Sequence, residues 1–266
     1  MNGLARRRGA SIEAVVLPVL GVGVAIAALE LGPRLGILPR QSFPPASEIF
    51  RALGDLVGGS ELWGAIGDTL ASWAKAMVLA TVIALPVGMA MGASPVGALL
   101  LRLTVDFLRP IPSVALIPIL VLIYGTQPSI TVALATLGAT FPLLFQAMYG
   151  VADVDPVAKD TARVFGLGWS ARVRRITLPS VAPYLATGFR ISASVALILV
   201  VTGEYVVGVE GLGQEVLLAQ SGGAYDRMYA FIATTGLLGL GVNVAVLAVE
   251  RRVLFWHPSQ RGGASG

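Results

Sequence analysis

Apolar runs of membrane-crossing length alternate with short polar stretches along this 266-residue chain. They extend from about Ala14 to Leu31, Thr69 to Met91, Leu99 to Tyr124, Ser129 to Val151, Leu185 to Val207 and Met228 to Val249. A helix that crosses a bilayer needs about 20 mostly apolar residues, so the pattern predicts an all-α membrane protein with about six transmembrane helices. The first run follows Arg6, Arg7 and Arg8 and contains Ala25-Ile26-Ala27, which resembles a signal-peptide cleavage site. Its length favours a first span instead, because signal cores run to only about 7–15 residues.

The polar stretches differ among themselves. Gly32 to Asp68 holds Pro33, Pro39, Pro44 and Pro45 ahead of an amphipathic piece at Ser47 to Val57. This reads as a turn into an extramembrane helix lying at the interface, with Leu53, Leu56 and Val57 on its apolar face. In the second run, Pro86 permits a kink, and Gly88 with Gly92 permits close approach of another helix. The third run contains Pro110, Pro112 and Pro118, each lacking a donor and crowding the preceding turn. Arg109-Pro110-Ile111-Pro112-Ser113 therefore predicts either irregular backbone lining a pathway or a span that starts at the membrane boundary.

Composition narrows the function. Hydrophobic residues make up 55% of the chain and charged ones 13%, against roughly 25% charged in soluble domains; mean hydropathy is +0.79. Cysteine is absent and His257 is the lone histidine. No disulfide framework, thiolate site, imidazole dyad or histidine zinc site follows, and no cofactor or metal is expected. Ser192, Ser194 and Thr202 lie in the fifth run with no histidine or lysine there to activate them, so they read as helix-packing hydroxyls rather than an intramembrane enzyme's nucleophile. Neither lysine, Lys75 or Lys159, follows glycine, so the phosphate-binding pattern G-x-x-x-x-G-K-[ST] is missing. ATP, if it drives this protein, binds to another subunit.

The formal charge of +4 invites a nucleic-acid reading, but its distribution answers otherwise. With a cytoplasmic start, the inside segments hold Arg6, Arg7, Arg8, Arg102, Lys159, Arg163, Arg172, Arg174, Arg175, Arg251, Arg252 and Arg261. The outside segments hold only Arg34, Arg40, Arg51 and Arg227. This is the positive-inside bias of a protein in a lipid membrane, with no need for nucleic acid. Both termini are expected to be cytoplasmic.

The polar loop from Ala152 to Pro183 has its own order. Asp155 followed by Pro156 is a helix start, an N-cap and then proline at the first helical position. Gly166 supplies a stop. Ser170 is placed to cap a second short helix through Arg172, Arg174 and Arg175, ended by Pro179, with Trp169 at the corner. Composition alone leaves two readings open, an interfacial hairpin facing lipid phosphates and a docking element for another protein.

Asp160-Thr161-Ala162, three residues, Gly166, nine residues, then Ile176-x-Leu178-Pro179 resembles the cytoplasmic E-A-A loop of ABC importer permeases. Asp160 stands where that family has Glu, and Thr161 where it has Ala. Arg109 to Pro118, Gly203-Glu204 before Gly211-Leu212-Gly213, and Trp256-His257-Pro258 are similar to the nitrate/sulfonate/taurine group of these permeases. The turn Gly125-Thr126-Gln127-Pro128 is less typical of it.

The resemblance implies a type I ABC importer permease fold and a non-catalytic subunit. It implies import of a small anionic solute by alternating access. Asp160, Thr161, Ala162, Gly166, Ile176, Leu178 and Pro179 would then couple to the ATPase. The implied partners are an ATP-binding subunit, a periplasmic or lipoprotein substrate-binding protein and a second permease copy in a homodimer. The implied home is the inner (plasma) membrane. The expected layout is a cytoplasmic tail at 1–13, a permease domain at 14–253 with the coupling loop at 152–183, and a cytoplasmic tail at 254–266. Candidate pathway residues are Arg109, Pro110, Pro112, Ser113 and Glu204. Glu204 also reads as a structural hydrogen-bond partner, and Asp106 with Arg109 as an ion pair along one helix face. The alternative function is a secondary transporter or channel without an ATPase, although neither paired repeats nor intramembrane ion-coupling residues are visible.

Overall fold

The structure, a computed structural model, describes residues 2–94, 96, 97, 99, 103, 107 and 112–255, with side chains from Val16 onward. Regular structure among these residues is entirely helical. Helices α1 (Asn2–Arg34), α2 (Ala46–Val57) and α3 (Ser60–Gly92) come first. A 3-10 turn at Ser113–Leu116 leads into α4 (Ile117–Tyr124), followed by α5 (Ser129–Ala152). Helices α6 (Pro156–Val164) and α7 (Trp169–Arg172) form the polar loop, and a π turn at Val173–Thr177 joins α7 to α8 (Leu178–Val207). Helices α9 (Leu212–Ser221) and α10 (Tyr225–Val253) complete the order.

Five segments among the described residues are long and apolar enough to cross a membrane. Part of the expected third span falls outside the described residues; its described end, Ser113–Tyr124, is a short apolar helix. Several elements start or end beyond the expected limits. Helix α1 begins at Asn2, inside the stretch expected as a tail, and α3 begins at Ser60 rather than near Thr69. Glu61 in the first turn of α3 suits the positive end of the helix dipole, so a polar start continues directly into an apolar span.

The chain divides into two compact units, Met1–Trp63 with Val216–Thr234 and Gly64–Glu215 with Thr235–Gly266. In the first unit, α2 is amphipathic: Ala46, Ala52 and Leu56 are buried while Phe50 and Val57 are exposed. Its N-terminus follows Pro45, which makes no side-chain cap. Glu30 of α1 supplies the missing acceptor, taking hydrogen bonds from the Ser47 amide at 2.9 Å and the Ser47 hydroxyl at 3.1 Å. Arg227 donates to both oxygens of Glu61 at 2.8 and 2.7 Å.

The second unit has a core of small residues. Ala76, Ala80, Ala135, Ala139, Ala193 and Ala196 are buried beside Leu134 and Val200, which lets α3, α5 and α8 pack closely. The Gly88 and Gly92 step of α3 faces α5: a Cβ on either would lie 2.5 Å from a backbone oxygen, Leu144 O or Met148 O respectively. Lipid tails are as apolar as leucine, so helices in a membrane hold together through such close packing and through interhelical hydrogen bonds. The Ser192 hydroxyl donates to Ala139 O at 2.6 Å, and Trp73 Nε1 donates to Ala193 O at 2.9 Å.

Candidate functional site

The loop between α5 and α8 is built by local rules. The Asp155 side chain accepts the Val157 amide at 2.8 Å, and Pro156 opens α6. At the other end the Gly166 amide bonds to Arg163 O at 3.0 Å and the Leu167 amide to Ala162 O at 2.9 Å. These are the two bonds of a Schellman stop, with glycine at the left-handed position. Gly166 has φ +68°, a conformation other residues enter only with strain.

The second helix departs from expectation. Its N-cap is Gly168, and Ser170 lies inside the first turn. Pro179 does not end the helix either; it sits at the start of α8, directly after a π turn that the ladder runs through without a break. The π turn makes this junction possible. The Leu178 amide reaches back to Val173 O, one residue further than an α-helix does, so the ladder changes register just before the proline.

Anchors tie the loop to its neighbours. Ala162 is buried, and Ile176 packs against Val151, Val154 and Val181. The Tyr184 hydroxyl donates to Asp153 at 2.5 Å, and Lys159 Nζ reaches Val151 O at 3.4 Å. Asp160 faces outward and pairs with Arg163 at 2.9 Å. Large apolar side chains are left uncovered nearby. Phe165 is 76% exposed and Trp169 75%, and Val157 and Val164 are exposed as well. Arg174 and Arg175 are exposed beyond them. Of the proposed coupling residues, Asp160, Thr161, Gly166, Leu178 and Pro179 are thus at the surface, Ala162 is enclosed and Ile176 is half-buried.

Glu204 occupies a different place. It is fully buried near the end of α8, and its Oε2 accepts the Thr69 hydroxyl and the Gly213 amide, each at 3.0 Å. The same Thr69 oxygen accepts the Leu212 amide at 2.9 Å. Gly211, at φ +142°, passes so close that any Cβ there would overlap the Glu204 carboxylate. Oε1 has no hydrogen-bond partner among the described residues. Thr69, Glu204 and the Gly211-Leu212-Gly213 turn therefore form one knot between α3, α8 and α9. Arg190 takes no part in it and lies 3.8 Å from Glu250. Sequence reasoning missed Thr69, which looks like any hydroxyl at the edge of an apolar run.

Pro112 is exposed and precedes the 3-10 turn that starts at the half-buried Ser113. Arg109 and Pro110 lie outside the described residues, as do Asp106 and the Trp256-His257-Pro258 ending.

The pattern of the binding-protein-dependent transport system inner membrane component family matches residues 80–255. The chain belongs to this family. It is an integral-membrane permease component of a transport system. A putative aliphatic sulfonates transport permease protein of Bacillus subtilis is 25% identical over 97% of this permease and 92% of that protein. A taurine transport system permease protein of Escherichia coli is 27% identical over 80% of each chain. A solved inward-facing structure of the MetNI methionine ABC transporter superposes with a TM-score of 0.62 at 23% identity, covering 73% of this permease and 96% of that chain. That likeness establishes an ABC transporter permease fold.

Proposed function

We propose that this permease is the membrane subunit of an ATP-driven importer of small anionic solutes, with sulfonates as the substrate class. The substrate class is supported by the names of relatives that share most of its length. The observation that carries the drive is the exposed Val157, Val164, Phe165 and Trp169 surface on a loop of fixed backbone. Large apolar side chains left uncovered together on an otherwise polar loop support an interaction site. A groove on a separate ATP-binding subunit covers it, with Asp160 and Thr161 facing that groove. Ala162 and Ile176 hold the loop to the bundle. Closure of the ATP-binding subunits then moves the loop as a body, and Leu178 and Pro179 pass the movement into α8.

The loop and both tails, 1–13 and 254–266, face the cytoplasm on this reading, and 14–253 forms the permease domain. Two copies of the permease enclose the path, with Arg109, Pro110, Pro112 and Ser113 contributing to its wall and Glu204 acting on it from within. A periplasmic or lipoprotein binding protein delivers the solute, and alternating access carries it inward.

Gly166→Val tests the coupling. The space around Gly166 is open, so the substitution strains the local backbone at φ +68° without touching other parts of the protein. In proteoliposomes carrying the assembled complex, ATP hydrolysis is expected to persist while uptake falls. Fully coupled uptake by this variant, or purification of an active transporter without any ATP-binding subunit, would overturn the reading.

A further inference from the structure

Lys75 lies within the apolar part of α3, where an unpaired ammonium is costly and ordinarily faces water or a partner. Among the described residues it forms no salt bridge or hydrogen bond. It lines a recess of about 530 Å³. Leu79, Leu120 and Val132 give that recess apolar walls, and Tyr124 and Ser129 add hydroxyls. Such a site, largely apolar with a few placed polar groups and one charge, is the usual chemistry of small-molecule recognition.

We propose that the Lys75 recess is a transient binding site for the anionic head of the transported solute, its ammonium pairing with a sulfonate-type oxyanion while the apolar wall takes the organic part. The inference rests on the anionic-solute reading above. A carboxylate in the recess would defeat it, and the enclosed Glu204 is not among the lining residues. A competing use of the same chemistry is a lysine that snorkels to a lipid phosphate. The two differ in what reaches the side chain: water and solute in one case, acyl chains and headgroups in the other.

The absence of cysteine from the chain makes the distinction measurable. In the complete transporter in proteoliposomes, Val132→Cys, which puts a thiol on the recess wall and keeps Lys75, is expected to react with a membrane-impermeant charged thiol reagent, and ethanesulfonate is expected to slow that reaction. No labelling, or labelling that ethanesulfonate leaves unchanged, overturns the site and favours the lipid-facing position. In the second arm, ethanesulfonate and taurine uptake are compared in wild type, Lys75→Arg and Lys75→Gln. Uptake is expected to fall about tenfold or more with Gln, the scale of a lost charge-assisted hydrogen bond, and to be largely kept with Arg. Wild-type uptake of sulfonates with equal uptake by Lys75→Gln overturns this inference alone. Absence of sulfonate uptake by the wild type overturns the anionic-solute reading and this inference with it.

Discussion

The Thr69 hydroxyl donates to the Glu204 carboxylate at 3.0 Å, although the two residues are 135 positions apart in sequence. One short side chain thereby serves two elements, since the same oxygen accepts the Leu212 amide. A buried carboxylate without hydrogen bonds would be strongly unfavourable. The contact therefore fixes the end of α8 against α3 and sets the path of the turn that follows.

Thr69→Val keeps the shape and removes the hydroxyl. It leaves the Leu212 amide without its partner and Glu204 with one fewer donor, at an expected cost of about 1–3 kcal/mol. Thr140→Val is the comparison, because the Thr140 hydroxyl only bonds to Thr136 O one turn back in its own helix. Denaturation in detergent should show a clear loss for the first and little for the second. Equal effects would mean that the knot around Glu204 adds no stability.

Gly211→Ala places a methyl group against the Glu204 carboxylate at a φ of +142°. Strain of this kind costs about 1–3 kcal/mol before the overlap is counted. Gly64→Ala, at a helical site with open space around it, is expected to be neutral or slightly stabilising because alanine favours the helix. Thermal denaturation of the two purified variants gives the ranking directly.

Asp155→Ala removes the cap from α6. The expected loss is about 1 kcal/mol, local to the loop. Hydrogen exchange should quicken at the Val157 amide, which the Asp155 side chain now holds at 2.8 Å, and leave the amides of α5 and α8 unchanged. Faster exchange throughout α5 would mean that the cap supports more than its own helix.

Phe165→Ser and Trp169→Ser alter side chains that are about three-quarters exposed. Neither contributes much to the permease's own packing, so stability is expected to change by less than about 0.5 kcal/mol. Retention of the ATP-binding subunit during purification is expected to drop for both. Undiminished retention in the double variant would remove this surface from the docking site.

Local signals carried the loop and distance hid the rest. Asp155-Pro156 and Gly166 were legible because capping and stopping depend on neighbours only a few positions away, and the observed bonds lie where the residue types imply. Pro179 misled, since a proline after a short basic helix reads equally as a stop and as the first turn of the next helix. Only the π turn at Val173–Thr177 separates those cases, and no residue type announces a π turn. Helix starts such as Ser60 escaped hydropathy because a polar first turn is no obstacle to a helix that becomes apolar later. The Thr69 partner of Glu204 was out of reach, since nothing local to Thr69 points across 135 positions, whereas Gly213 lies only nine positions from the carboxylate. The apolar runs themselves were the easiest to read, because membrane crossing constrains length and polarity together.

From Trp169 through the π turn to Val207 the backbone is one continuous helical rod. Trp169 and Glu204 stand near its opposite ends, roughly 50 Å apart at 1.5 Å per residue. A push on the indole end has no loop in which to dissipate before it arrives at the carboxylate end. On the proposed coupling its mechanical outcome is a tilt or a twist of the whole rod, and the π turn, with Pro179 and Pro183 just after it, is where the hydrogen-bond ladder is irregular. Substitutions that restore regular α geometry there would change the gearing between the two ends while leaving both ends chemically intact.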